Sequence, residues 1–259
     1  MEFFINQTTE KINKYINDIC NIARLCTPLM GDSEDVFLPY RAHEKVFSKN
    51  FAGLNVSRQD SSIDCVIRSD GYQIIGSDIN IDPSINGAAL KTFTKTINFN
   101  KPIISGKKNT FKSEKIAEFD TEFNKLDTKN LSDLEIAKFI AELRNKRLDE
   151  TITQYNLNNM FYHYAVRSKE RIYSYETPMA KIELDKIVIS NKRKGSKNIN
   201  FNDGINYYTF DIAKSTLKMR FLTENEKMVI LVKNCLSENQ LYKLIDNLDY
   251  VLEILSNKI

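Results

Sequence analysis

A series of short runs rich in β-branched and aromatic residues fills the last third of the chain. Runs of this length, bounded by polar turn residues, predict β-strands. The predicted strands cover residues 161–166, 171–175, 186–189, 198–201, 207–210, 217–222 and 228–232. So many strands must be buried in one or more sheets, which excludes an all-helical bundle.

Helical patterns surround these strands. Apolar residues at helical spacing predict helices over 9–26, 41–51 and 111–123. The capping boxes that begin at Ser132 and Ser237 predict two further helices, the second closing the chain. Further strands are predicted over 62–68, 73–81 and 88–93. We expect an α/β fold, a mixed sheet flanked by helices with a β-rich C-terminal part. It divides into 1–155 and 156–259 or forms a single domain.

Composition limits the class of protein. The chain has 259 residues with 42% hydrophobic content, enough for a sizeable core. It has no apolar run of membrane-spanning length and no signal-peptide pattern, so we expect a cytoplasmic protein without a membrane partner. Four cysteines without CxxC spacing are expected to be reduced and buried, and they do not predict a zinc site. A net charge of +3 is compatible with DNA binding but does not decide it.

Residues 41–120 carry the chemically informative pattern. Glu44 lies on a predicted helix, and Asp64 enters a predicted strand. Lys91 follows in the segment Gly-Ala-Ala-Leu-Lys-Thr-Phe, expected to be the neighbouring strand, and Glu118 lies in Lys-Ile-Ala-Glu-Phe-Asp on a later helix. An acid at the mouth of one strand, a lysine on its neighbour and a glutamate on the preceding helix resemble the PD-(D/E)xK nuclease core. That core is shared by many type II restriction endonucleases.

The resemblance implies Mg²⁺-dependent, sequence-specific cleavage of double-stranded DNA. It implies that Asp64 holds the ion, that Glu44 completes the metal shell and that Lys91 neutralises charge on the phosphate. A homodimer would deliver one active site to each strand of a twofold-symmetric DNA site. A companion DNA methyltransferase is left open as a further partner.

The sequence departs from the family pattern at one position. The acid expected two residues before the lysine is replaced by Ala89. Glu118 is one candidate for the missing carboxylate and metal ligand. Asp78, in Asp78-x-Asn80, is a rival, and if it is the second acid then Lys91 becomes a phosphate contact.

Two other interpretations stay open. His43-Glu-Lys45 followed by Asn50 resembles the HxK motif of metal-independent phospholipase D-like nucleases, with His163 as the sole further histidine. A histidine on a helix surface is the simpler interpretation of His43. Alternatively, the chain binds nucleic acid without catalysis, and Asp64, Lys91 and Glu118 are incidental.

Basic loops are the candidate DNA contacts. A run between two predicted strands carries most of them, and it fits either backbone phosphates or a solvated hairpin tip. A second basic loop and an arginine near a strand connection complete the set. The candidates are Lys192, Arg193, Lys194, Lys197, Lys107, Lys108 and Arg167.

Overall fold

The computed structural model describes residues 2–30, 36–57, 62–68, 73–82, 92–98, 130–168, 170–190, 198–212, 216–222 and 228–232. Its helices are α1 (Glu2–Ile5), α2 (Thr9–Cys26), α3 (Tyr40–Asn50) and α4 (Asp133–Tyr155), with short 3₁₀ turns at Thr27–Met30 and Leu184–Lys186. Its strands are β1 (Leu54–Asn55), β2 (Cys65–Arg68), β3 (Ile74–Asp82), β4 (Thr92–Asn98), β5 (Asn159–Ser168), β6 (Arg171–Pro178), β7 (Val188–Ile189), β8 (Asn198–Asn202), β9 (Tyr207–Asp211), β10 (Thr216–Leu222) and β11 (Met228–Leu231).

The helix boundaries follow from local capping. The Thr8 side chain accepts a hydrogen bond from the amide of Lys11 at the start of α2. At the start of α4, the hydroxyl of Ser132 accepts from the amide of Glu135, whose carboxylate accepts from the amide of Ser132. Helix α4 ends at Asn156, whose left-handed backbone terminates it. These bonds satisfy amides that a helix end leaves without intrahelical partners.

Two sheets organise the strands. The first sheet has the order β1-β2-β3-β5-β6-β11, and the second has the order β4-β10-β9-β8-β7. Among the described strand pairs of the first sheet, only β3 and β5 are parallel, and the chain between them includes α4. Strands from both sides of residue 155 therefore pair within one mixed sheet.

Each face of the first sheet has its own apolar cluster. On one face, α1, α2 and α3 pack against β2, β3 and β5 through a cluster that includes Phe3, Tyr15 and Phe47. On the other face, α4 and the inward face of the second sheet share a cluster that includes Ile140, Tyr162 and Phe210. Because both faces are covered, β3 is buried throughout Ile75 to Ile79.

The predicted α/β class is confirmed, as are the strands of the last third and the helices α2, α3 and α4. The helices predicted over 111–123 and from Ser237 lie outside the described residues. Cys20 and Cys65 are buried as expected, Cys26 is half-buried, and Cys235 lies outside the described residues. None of the described helices is both long enough and apolar enough to cross a membrane.

Candidate active site

Two aspartates meet where β2 begins. Cys65 pairs with Ser77 across the β2–β3 ladder, which brings the adjacent residues Asp64 and Asp78 side by side. The backbone amide of Asp64 donates to the carbonyl of Ser77 at 2.8 Å. Its Oδ2 accepts the amide of Ile79, also at 2.8 Å. The Asp64 carboxylate is therefore held beside the Asp78–Ile79 peptide.

Asp78 belongs to the face of the sheet that α4 covers. Side chains alternate along a strand, so Gly76 and Asp78 share one face of β3. A Cβ atom on Gly76 would lie 2.7 Å from the Leu157 side chain and 3.0 Å from that of Ile63, both in the α4-side cluster. The absence of a side chain at Gly76 thus lets this face close, and Asp78 is 4% exposed.

The neighbouring strand β5 contributes Tyr162 to the same face, and α4 adds a buried cation beside it. Tyr162 pairs with Asp78 across the β3–β5 ladder. Its hydroxyl lies 3.3 Å from Nη2 of Arg144, and Nη1 of Arg144 donates to the carbonyl of Ala180 at 2.6 Å. Arg144 is 3% exposed, so α4 places a positive charge in the core behind the strand that carries Asp78.

The same core contains a second buried acid. The Tyr208 hydroxyl donates to the Asp203 carboxylate at 2.7 Å, and Asp203 is also buried. Burial and the Asp203 carboxylate raise the pKa of Tyr208, while the charge of Arg144 opposes that shift. Arg144 is therefore close enough to Tyr208 to link α4 electrostatically with the second sheet.

Glu44 lies on α3 and is engaged by an arginine. Nη1 of Arg41 donates to Oε2 of Glu44 at 2.9 Å and to the Ser57 hydroxyl at 3.2 Å. Next to Ser57, the amide of Val56 donates to the carbonyl of Asp64 at 2.7 Å. This chain of contacts puts the Glu44–Arg41 pair at the same end of the sheet as the two aspartates.

The donor set fits a hard divalent cation. Mg²⁺ in proteins is commonly held by one or two carboxylates, together with water and substrate phosphates. Asp64 and Asp78 supply two such carboxylates. Among the described residues, no group of three or more His, Cys, Asp and Glu side chains could hold a metal ion. Direct ligation by Glu44 therefore stays a prediction.

Several candidate residues of the sequence pattern cannot be placed. Lys91, Glu118, Lys107, Lys108, Lys192, Arg193, Lys194 and Lys197 lie outside the described residues. The strand around Lys91 is predicted to lie beside Asp64, but the described neighbours of β2 are β1 and β3. Strand β4, which follows Lys91, pairs with β10 in the second sheet. This correction favours Asp78 as the second acid, because strand pairing, and not sequence order, sets the neighbour.

Arg167, a candidate DNA contact, lies on β5. Its guanidinium carbon is 5.2 Å from the centre of the Phe37 ring. The side chain is partly buried there, so a part of it packs against the protein itself. Its contact with DNA stays a prediction.

Both histidines lie in the core on the α1–α3 side. His43 is 1% exposed, and its Nε2 lies 2.9 Å from the Tyr15 hydroxyl, so the expected surface position is wrong. His163 is also buried, between the rings of Phe3 and Phe47. Burial, and secondarily the charge of His43, lower the pKa of His163 well below its usual value. This placement argues against a His43 nucleophile, which would need access to substrate.

Glu176 connects this core to α1. Its carboxylate oxygens accept the amides of Phe3 at 2.8 Å and Phe4 at 3.2 Å, and Oε2 lies 4.0 Å from Nδ1 of His163. Burial raises the pKa of Glu176 to about 7, although the two amides oppose the shift. The group therefore binds a proton in the folded protein at a pH where the unfolded chain has released it.

Replacement of Glu176 by Gln is expected to remove a pH-dependent loss of stability. Because the pKa of Glu176 is raised in the folded protein, its contribution to stability is greatest below about pH 4.5 and is lost as pH rises to about 7. The buried His163 acts in the opposite direction below about pH 6.5 in both proteins, so it cancels in the difference. Between pH 5 and pH 8, the free energy of unfolding measured in urea should fall by roughly 2–3 kcal/mol more for the wild type than for Glu176→Gln. A pH-independent difference would contradict the shifted pKa.

A cavity of about 360 Å³ lies away from the aspartates. Its lining includes Arg68 and Gln73, at the far ends of β2 and β3, together with Lys11 of α2. Neither Asp64 nor Asp78 contributes to it. The candidate chemistry therefore lies at the opposite end of the β2–β3 pair from this cavity.

Two features near the candidate site were not predicted from the sequence. The Arg41–Glu44 pair has the i,i+3 spacing of a helical ion pair, a signal that was present in the sequence. Arg144 carries no comparable signal, because its burial depends on β5 and on the segment around Ala180.

The comparisons with known proteins found no relative of this chain. No protein-family model, no curated protein and no solved structure matches the chain. A function must therefore be inferred from the chemistry of the residues themselves.

Proposed function

We propose that the chain is a Mg²⁺-dependent endonuclease that hydrolyses phosphodiester bonds of double-stranded DNA, of the type II restriction class. One observation carries the proposal: the Asp64 carboxylate is fixed on the amide of Ile79, beside the buried Asp78 on the adjacent antiparallel strand. The carboxylates of Asp64 and Asp78 on adjacent strands, with Glu44 on the preceding helix, support the resemblance to the PD-(D/E)xK core in its acids but not in its lysine. The mixed sheet with helices on both faces is compatible with that core.

The residues have distinct tasks in hydrolysis. Water adds its oxygen to phosphorus, one P–O ester bond breaks, and a proton ends on the departing alcohol. Asp64 and Asp78 would hold the metal ion. When bound, the ion polarises the phosphate and lowers the pKa of a water molecule. The amide of Ile79 fixes the orientation of Asp64, so little reorganisation of that carboxylate is needed. Asn80 stands where the family pattern has lysine, so under this assignment Lys91 contacts phosphate.

Further parts of the proposal concern partners. A sequence-specific enzyme that cuts both strands of a palindromic site works as a homodimer, because the twofold axis of the DNA requires two equivalent sites. The sequence recognised depends on contacts with base edges, and the ends produced depend on how far apart the two active sites cut. The companion of such an endonuclease would be a DNA methyltransferase that protects the same sites.

The deciding experiment is cleavage of a long DNA of mixed sequence by the purified protein. We expect discrete fragments on a gel with Mg²⁺ and none with EDTA. Discrete fragments that persist in EDTA would contradict the metal mechanism. DNA binding without cleavage in Mg²⁺, Mn²⁺ or Co²⁺ would contradict an enzyme and favour a binding protein.

That second candidate, a nucleic-acid-binding protein without catalysis, is favoured by the second sheet. Its inward face is apolar, whereas Asn200, Thr209 and Lys218 lie at adjacent register positions on the opposite face. The Thr209 hydroxyl donates to Oδ1 of Asn200 at 2.8 Å, which orients the amide, and Lys218 is exposed. Carboxamides, hydroxyls and amines are the groups that contact phosphates and base edges.

A further inference from the structure

We infer that Arg41 binds a backbone phosphate of the nucleic acid next to the Asp64–Asp78 pair, an inference that rests on the proposed function. A site built from carboxylates repels a polyanion, so it needs a fixed cation at its edge. The lysine of the family pattern is replaced by Asn80 after Asp78. Among the described residues, Arg41 is connected to Asp64 by the short chain of contacts through Ser57 and Val56.

The guanidinium of Arg41 is held in place by contacts that do not involve all of its N–H donors. Nη1 of Arg41 donates both hydrogen bonds, one to Glu44 and one to Ser57. The guanidinium carbon also lies 4.9 Å from the centre of the Tyr40 ring. Of the five N–H donors of a guanidinium, those on Nε and Nη2 are not engaged by Glu44 or Ser57, and the Tyr40 side chain is a further hydrogen-bond partner. The donors on Nε and Nη2 have the fork geometry that binds phosphate oxygens.

Exposure distinguishes the two partners of the ion pair. The Arg41 side chain is 46% exposed, whereas the Glu44 side chain is 7% exposed. Glu44 thus anchors the arginine from the protein side, while the arginine faces solvent. Tyr40 is 58% exposed beside it and adds an aromatic surface. An anchored, half-exposed arginine loses less side-chain freedom on binding a phosphate than a lysine on a free chain.

The pair also predicts how Glu44 affects binding. Its carboxylate neutralises part of the positive charge that Arg41 offers to DNA. Replacement of Glu44 by Gln should therefore tighten DNA binding, whereas replacement of Arg41 by Ala should weaken it roughly tenfold. The loss of one phosphate contact should also reduce the slope of log K against log salt by about 0.9.

The test measures binding of a fluorescent duplex of mixed sequence by anisotropy across a salt series, in EDTA and again with Ca²⁺. The variants are Arg41→Ala, Glu44→Gln, the double variant and Lys49→Ala, an exposed cation at the far end of α3. The double variant removes the unpaired acid that Arg41→Ala leaves behind, so it keeps the comparison valid if the single variant folds poorly. We expect the double variant to bind weakly with the reduced slope, and Lys49→Ala to bind like the wild type.

The outcomes separate this inference from the proposed function. If Arg41 only serves as the partner of Glu44, the double variant will bind DNA like the wild type, and the inference is overturned while cleavage by the wild type stands. An equal loss in Lys49→Ala would replace a specific contact with general surface charge and also overturn it. A wild type that neither binds DNA nor cleaves it with Mg²⁺ would remove the proposed function, and this inference with it.

Discussion

Asp78→Asn is expected to reduce Mg²⁺-dependent DNA cleavage by at least about 1,000-fold, and Asp64→Asn by a similar factor. A metal ion contributes several kcal/mol of charge stabilisation, and each 1.36 kcal/mol corresponds to a tenfold change in rate. Asparagine keeps the shape, and its carbonyl oxygen can still accept the amide of Ile79 at position 64. Gel cleavage assays under single-turnover conditions provide the measurement.

The same variants should bind DNA at least as tightly as the wild type in EDTA. Each removes one negative charge from a site that a phosphate approaches, so repulsion falls while the surrounding fold is retained. Asp149→Asn is the matched control, because Asp149 is a half-exposed acid on α4 whose partner is Lys181. It should cleave like the wild type. Cleavage by Asp78→Asn at the wild-type rate would exclude Asp78 as a metal ligand and return Glu118 as the candidate.

Patterns that depend on neighbours in sequence predicted the structure well. The apolar spacing of α2 gives a helix over Thr9–Cys26, and the Ser132 capping box forms both of its bonds. Alternating burial along β8 and β9 follows from their alternating apolar residues. In each case the determining interactions lie within one turn or one strand.

Features that depend on distant partners were not predicted. Helix α1 has only four residues, and its amides are bound by Glu176, a residue far away in sequence. His43 is buried because its helical face meets Tyr15 of α2, and no local pattern specifies that packing. The pairing of β3 with β2 brings Asp78 beside Asp64, and the order of the residues in the sequence does not indicate that pairing. The residue types of the candidate site could therefore be predicted from the sequence, whereas the position of Asp78 beside Asp64 depends on the sheet.

Arg144→Ala is expected to destabilise the protein by about 3 kcal/mol. The guanidinium is buried and donates to the Ala180 carbonyl and to the Tyr162 hydroxyl, so its removal costs two hydrogen bonds, one of them fully buried, and leaves a space in the core. It also removes the positive charge near the buried Asp203–Tyr208 pair. Urea unfolding gives the free energy, with Lys138→Ala on the exposed side of α4 as a control expected to lie within about 0.5 kcal/mol of wild type.

A double-mutant cycle of Arg144→Ala with Tyr162→Phe then tests whether the bond between Arg144 and Tyr162 stabilises the strand beside the candidate site. Tyr162 pairs with Asp78, so the Arg144–Tyr162 bond holds the strand next to the one that carries the acid. We expect a coupling free energy of about 1 kcal/mol. A loss below about 1 kcal/mol for Arg144→Ala, or additive effects in the cycle, would show that the buried arginine does not stabilise this face of the sheet. Asp78 would then be positioned by the β2–β3 ladder alone.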